Sequence, residues 1–154
     1  EPFPIDPEST DCVIFTEVLE HLRLGLLHCL REIRRIVRPG GVVIVSTPNL
    51  LTLRNRWSFL TGDDDYDTLA RPFDALDIEE RIGHSGHFRV FSKAEVLDLF
   101  ERSGFQVMSC DYVECSPDGD RLSLKETLKR FPKTVLNALV PSIRNTLFLV
   151  LKKR

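Results

Sequence analysis

Several classes of protein are excluded by what this 154-residue sequence lacks. No C-x-x-C pair occurs among its four cysteines, Cys12, Cys29, Cys110 and Cys115, so neither a zinc ribbon nor a dithiol redox motif is indicated. Cys110 and Cys115 are near enough in sequence to pair, but free buried thiols in a reducing cytosol are the expectation. No signal-peptide pattern and no long uncharged apolar run is present, so no membrane span is expected and the protein reads as cytoplasmic. No G-x-G-x-x-G loop follows a candidate strand. The aspartates at 63–65 lack the glycine and terminal glutamate of an EF-hand and read as a solvated loop. A dominant charge is also missing. The formal net charge is −2, which gives no general pull toward nucleic acid. No internal repeat or low-complexity tract occurs.

What is present is an ordinary globular composition, 42% hydrophobic and 29% charged, in a chain long enough to bury a core. The sequence is organised around Asp11 to Asn49. Asp11 to Phe15 is a short apolar run suited to a strand buried on both faces. The period then changes: Leu19, Leu22, Leu26, Leu30, Ile33 and Val37 step by three or four, one face of a helix. Arg31, Arg34, Arg35 and Arg38 mark its other face and last turn, and Pro39–Gly40–Gly41 stops it. Val42 to Val45 is a second buried strand, closed by Ser46–Thr47–Pro48. The unit is β-α-β, so the strands should be parallel.

In such a sheet, ligands bind beyond the carboxyl ends of the strands. Thr16–Glu17 through His21 and Thr47–Pro48–Asn49 sit there. A helix starting at this point would place Glu17, Glu20 and His21 on one face. Two carboxylates and an imidazole are costly to desolvate without a partner or a task.

Further along, residues 50–60 read as a short amphipathic helix whose Arg54, Arg56 and Trp57, with Arg71 beyond it, are expected to form a solvated face, the lining of a ligand site being the alternative. Residues 69–85 read as irregular, with a helical turn near 74–82. Ser92 and Glu95 form a capping box before a helix that ends at Gly104. Residues 105–112 read as a strand, Ser123 and Glu126 as a second capping box, 135–140 as an apolar segment ended by Pro141, and 146–151 as a final strand.

These residues together resemble a known family. The run D-C-V-I-F-T-E-V-L-E-H-L, the helix end V-R-P-G-G, the strand V-V-I-V-S-T-P-N, the leading P-F-P-I-D and the turn G-H-F-R-V-F-S at 86–92 are similar to strands four and five and their surroundings in class I S-adenosylmethionine-dependent methyltransferases. The resemblance implies an α/β, Rossmann-like methyltransferase fold, here partial, with a mixed and mostly parallel sheet. It implies that residues 1–154 form the carboxyl-terminal part of a single methyltransferase domain, since the family's glycine-rich cofactor loop has no counterpart here. The absence of an initiating Met fits the same expectation. In the family's sheet order this chain holds strands four, five, seven and six, with seven antiparallel. Strand four would then be an open apolar edge, implying a missing amino-terminal half, a partner chain or a homo-oligomer.

The resemblance also implies the cofactor, S-adenosylmethionine, with Thr16 and Glu17 beside its methionine part. His21, with Glu20, is the candidate general base. The acceptor is expected to offer an oxygen or nitrogen on a small molecule, glycan or lipid-linked compound. Glu17, Glu20, His21 and His87 form a candidate set for a divalent metal, Mg²⁺, Mn²⁺ or Zn²⁺, similar to metal-dependent RNA or quinone O-methyltransferases; His84 is a spare ligand and His28 a surface residue. A non-catalytic half-domain that binds a partner through its open sheet edge is the alternative of another class.

Overall fold

The β-α-β unit expected around residues 11–49 is present. In the computed structural model, which describes residues 1–62, 77–78, 80–81, 83, 86–115 and 135–154, β1 (Thr10–Thr16) pairs in parallel with β2 (Val37–Pro48), and α1 (Leu26–Ile36) connects them. Two boundaries differ from expectation. The helix does not run back to Glu17: Leu19–His21 is a separate 3₁₀ turn, and Gly25, at φ 80°, sets the start of α1. The second strand begins at Val37, not Val42, because Val37 already pairs with Thr10. Gly41 lies where the two strands come back into register. A Cβ there would stand 2.7 Å from Val37 Cγ1 and 3.0 Å from the Asp11 carbonyl, so no side chain fits without a shift.

Further elements among the described residues are α2 (Leu53–Thr61), α3 (Lys93–Arg102), β3 (Phe105–Val113) and β4 (Thr146–Lys153), with a 3₁₀ turn at Pro141–Ile143. The sheet order is β1-β2-β4-β3, and β4 runs antiparallel to both neighbours. This is the order and direction that the family resemblance implies for strands four, five, seven and six.

Register explains the core. Val13 pairs with Val43 and Val43 with Leu151; Phe15 pairs with Val45 and Val45 with Leu149. These residues share one face and pack with Leu30, Ile33 and Ile36 of α1 and Val96 and Phe100 of α3. The Phe100 ring meets Phe105 edge-on at 6.0 Å between centroids. The alternate row, Ile14–Ile44–Val150, points the other way, and Ile14 is 71% exposed. The expectation that β1 is buried on both faces is therefore corrected: its continuous apolar run has one covered face.

Local chemistry sets the ends of α3. Ser92 Oγ accepts from the Glu95 N–H and the Glu95 carboxylate accepts from the Ser92 N–H, a complete capping box. Those bonds, with Arg89 beside them, hold the Glu95 carboxyl below its ordinary value. Gly104, at φ 86°, ends the element.

All four cysteines are free. Cys29 and Cys110 are half-buried and burial pushes both thiols up, but Cys12 and Cys115 are exposed, against the expectation of burial. No helix among the described residues is long and apolar enough to cross a membrane. The aspartates at 63–65, Arg71, His84 and the capping box at 123–126 lie outside the described residues, as does most of 69–85.

Candidate functional site

The site forms where β1 and β2 end. Glu17 follows β1 directly, and its N–H donates to the Ser46 carbonyl at 3.0 Å. Its φ is 53°, a left-handed conformation that a non-glycine residue adopts at a cost of about 1 kcal/mol. Ser46 Oγ donates to Glu17 Oε1 at 2.6 Å and fixes the carboxylate beside the end of β2.

The chain then turns inward. Leu19 is 1% exposed, and its burial carries Glu20 into the interior at 0% exposure. Glu20 Oε2 accepts from Thr47 Oγ1 at 2.9 Å. Glu20 Oε1 is equally buried and has no hydrogen-bond partner; His21 Nε2 is 3.8 Å away, beyond hydrogen-bond range. His21 Nδ1 lies 3.0 Å from the Gly86 carbonyl, which can only accept, so this nitrogen carries a proton.

The 86–92 segment is tied to this turn by backbone. Phe88 and Arg89 both donate N–H to the Glu20 carbonyl, at 2.8 and 3.2 Å. Phe91 then bridges to Asn49, and its carbonyl accepts from Leu50 N–H at 3.0 Å. These bonds bring His87 against His21, with ring centroids 4.9 Å apart and planes at 65°. Ligand atoms of Glu20, His21 and His87 all lie within 4.8 Å of one another.

Of the four metal candidates, the structure thus gathers Glu20, His21 and His87. Glu17 is not in that group; its carboxylate is held by Ser46. The expected shared helical face of Glu17, Glu20 and His21 does not form, because the left-handed Glu17 and the 3₁₀ turn separate them.

A cleft of about 1170 Å³ opens beyond the same strand ends. Glu17 and His87 line one part; Leu53, Arg54 and Trp57 of α2 line another, with Glu114 beyond β3. Glu20 is sealed beneath it. Arg56 is committed elsewhere: it donates to the Leu51 carbonyl at 2.8 Å and to Ser142 Oγ at 2.9 Å. His28 is an exposed residue of α1, as expected.

Sequence reasoning placed Thr47 and Asn49 at the ligand-binding end of the sheet but gave neither of them, nor Ser46, a part in building the site. Asn49 is 1% exposed, donates to the Ser142 and Arg144 carbonyls and accepts from Leu51 N–H, so it locks the chain where it leaves β2. Two hydroxyls and an amide closing an apolar strand were the available signal.

The comparisons with known proteins follow this geometry. A probable S-adenosylmethionine-dependent methyltransferase of Mycolicibacterium smegmatis is 35% identical over 104 residues, 68% of this chain and 32% of that protein. The chain therefore spans about a third of this relative's length. Among solved structures, an S-adenosylmethionine-dependent methyltransferase of Methanosarcina mazei superposes over 98% of this chain and 62% of its own, with TM-score 0.58 and 12% identity. A Haloferax volcanii methyltransferase, solved in complex with the Trm112 methyltransferase activator, covers 97% of this chain and 57% of its own, with TM-score 0.53 and 20% identity. At such identities the structural likeness speaks for the fold alone. The family is shown by sequence: a model described as a methyltransferase domain matches residues 5–109, and this chain belongs to that family, the class I S-adenosylmethionine-dependent methyltransferases.

Proposed function

We propose that the protein containing this chain transfers a methyl group from S-adenosylmethionine to an oxygen or nitrogen of a small-molecule, glycan or lipid-linked acceptor, in the cytoplasm. The observation that carries this reading is Glu17, a carboxylate held in a strained conformation at the end of β1, with its side chain on the wall of the large cleft. Strain of this kind persists where surrounding structure over-determines it, and it clusters at functional sites. When bound, S-adenosylmethionine supplies an electrophilic methyl on a cationic sulfur. Thr16 and Glu17 fit that group: both are exposed at the strand end, and one brings an anion. The acceptor lies against the α2 wall, where Arg54 and Trp57 face the cleft. Its departing proton is taken by His87, which lines the cleft, with the His21 ring packed against it and Glu20 buried behind.

We propose further that this chain is the carboxyl-terminal part of its domain. β1 is an edge strand, Ile14 on its open face is 71% exposed, and the Mycolicibacterium smegmatis relative is about three times longer than the matched region. An uncovered apolar edge of this kind calls for another strand, from the same polypeptide, a second copy or a partner chain. The Haloferax volcanii structure, a complex with an activator protein, supports a partner as the second reading.

The test is calorimetric titration of S-adenosylhomocysteine into the protein as the cell makes it, in the presence of a chelator. Saturable binding that weakens on the order of tenfold in Glu17→Ala is the expected result; an enzyme that binds equally well without the Glu17 carboxylate contradicts the assignment. Absence of binding by the folded protein overturns the methyltransferase reading itself.

A further inference from the structure

We propose that a second cavity, between α1 and the end of α3, binds a small organic phosphomonoester. This cavity, about 420 Å³, is walled by α1 and by the second half of α3. Among the described residues it shares no lining residue with the cleft, so the site does not rest on the methyl-transfer reading.

Charge points to the ligand. Arg31 and Arg34 stand about one turn apart on α1 and line the cavity together with Arg102 of α3. Asp98 is the carboxylate on its wall, with an oxygen 3.6 Å from Arg102 Nη1. No hydrogen bond or ion pair joins Arg31 or Arg34 to any of the described residues, whereas the neighbouring Arg35 and Arg38 are paired with Glu32 and Asp11. Like charges gathered in this way repel one another, in a chain whose formal net charge is −2. Three guanidiniums against one carboxylate leave two positive charges at the cavity. A phosphomonoester, at about −1.5 to −2 near neutral pH, is their complement.

The helix dipole explains part of this pattern. Arg34 and Arg102 lie in the last turns of their helices, where cations are favoured. Arg31 is a turn earlier, and no dipole brings arginines of two helices onto one cavity. Arg34 is also held in place. It crosses Gly104, where a Cβ would stand 2.5 Å from Arg34 Nε, so bare backbone makes room for its side chain. A guanidinium positioned in advance loses less freedom on binding, and its fork donates two parallel N–H bonds to phosphate oxygens. Ser103 takes no part, since its hydroxyl donates to the Leu99 carbonyl at 2.7 Å. Leu27 and Leu99 give the cavity apolar wall, and its volume is that of a small-molecule site, larger than a bare anion needs. The phosphate therefore comes with an organic body.

The experiment titrates phenyl phosphate into the full protein at low salt and follows calorimetry and backbone amide resonances. One equivalent is expected, with shifts at Leu27, Ser103 and Gly104. Arg31→Gln and Arg34→Gln should each weaken it on the order of 10- to 100-fold. Arg89→Gln, which removes an exposed arginine paired with Glu95 away from the cavity, should leave it unchanged. Inorganic phosphate should compete, but more weakly. Both cavity arginines are exposed, so unchanged melting temperatures are expected in their variants. Should a variant melt early, the resonance shifts in the unaltered protein decide. No saturable binding, shifts confined to the cleft, or full affinity in the Arg31→Gln/Arg34→Gln double variant overturn the site. So does inorganic phosphate binding as tightly as phenyl phosphate, which leaves an adventitious ion only. Binding of a single-stranded oligonucleotide but not of phenyl phosphate overturns it in favour of a nucleic-acid surface.

Discussion

Two glutamates of the same β-α-β unit are buried, and their surroundings differ in kind. Glu32, on α1, receives Arg35 through Nε at 3.0 Å and Nη2 at 2.8 Å, and the Phe3 N–H at 2.9 Å. Arg35 in turn donates to the Ile5 and Phe3 carbonyls, so the group closes on itself and ties the leading loop to the helix. Glu20 receives one hydroxyl and no fixed cation, and one of its oxygens is unmatched. A buried charge that the fold itself neutralises is a structural element. A buried acid that the fold leaves half-satisfied, beside two imidazoles, is the kind of group that recurs at functional sites, which is the reason it is the one to test.

The comparison can be broken most sharply at Glu20. Glu20→Gln should lower methyl transfer by the full protein on the order of 100-fold or more, with little change in thermal midpoint. Equal activity in the variant would place Glu20 with Glu32 as a purely structural acid. Glu32→Gln should do the reverse, lowering the midpoint and leaving methyl transfer alone.

The second test uses pH. The Arg35 hydrogen bonds, then the Phe3 N–H, lower the Glu32 carboxyl from its ordinary 4.5 to about 2. A depressed folded value contributes stability that is present above the unfolded one and lost as pH falls through the interval between them. The difference in melting temperature between the original protein and Glu32→Gln should thus be constant above about pH 5 and shrink from there toward pH 2. A difference that holds steady to pH 2 would refute the pairing.

A smaller effect comes from the shell around Glu20. Thr47→Val keeps the shape of the side chain and removes the hydroxyl that orients the carboxylate. Methyl transfer should fall roughly tenfold, less than in Glu20→Gln. The smallest concerns a third carboxylate. Glu95 resembles Glu32 in being matched locally, by Ser92 and Arg89. Ser92→Ala should cost about 1 kcal/mol in chemical denaturation and leave ligand affinities unchanged.

How much of this was legible in the sequence depends on the range of the cause. The strands, α3 with its capping box and the amphipathic α2 follow from periods and caps spanning a few residues, and they were readable. The start of α1 was not. The leucine spacing continues through Leu19 and Leu22 because the 3₁₀ turn and the helix bury their leucines in the same core, so the period hides the break that Gly25 makes. The one-sided burial of β1 was equally hidden, since an apolar run states what a strand tolerates and not what covers it.

For the site, the sequence by itself determined the inventory: carboxylates at 17 and 20, an imidazole at 21, and a second imidazole carried far downstream at 87. Their division of labour was decided only by tertiary structure. Glu17 and Glu20 are alike in type and three positions apart, yet one is strained at the cleft and bonded to Ser46 while the other is sealed beneath it on Thr47. The partners sit on a neighbouring strand, and parallel pairing of β1 with β2 is what places successive hydroxyls beside successive acids. His87 reaches His21 through two backbone hydrogen bonds to the Glu20 carbonyl. Neither contact has a local sequence period, because both are set by chain segments that meet only after the sheet has formed.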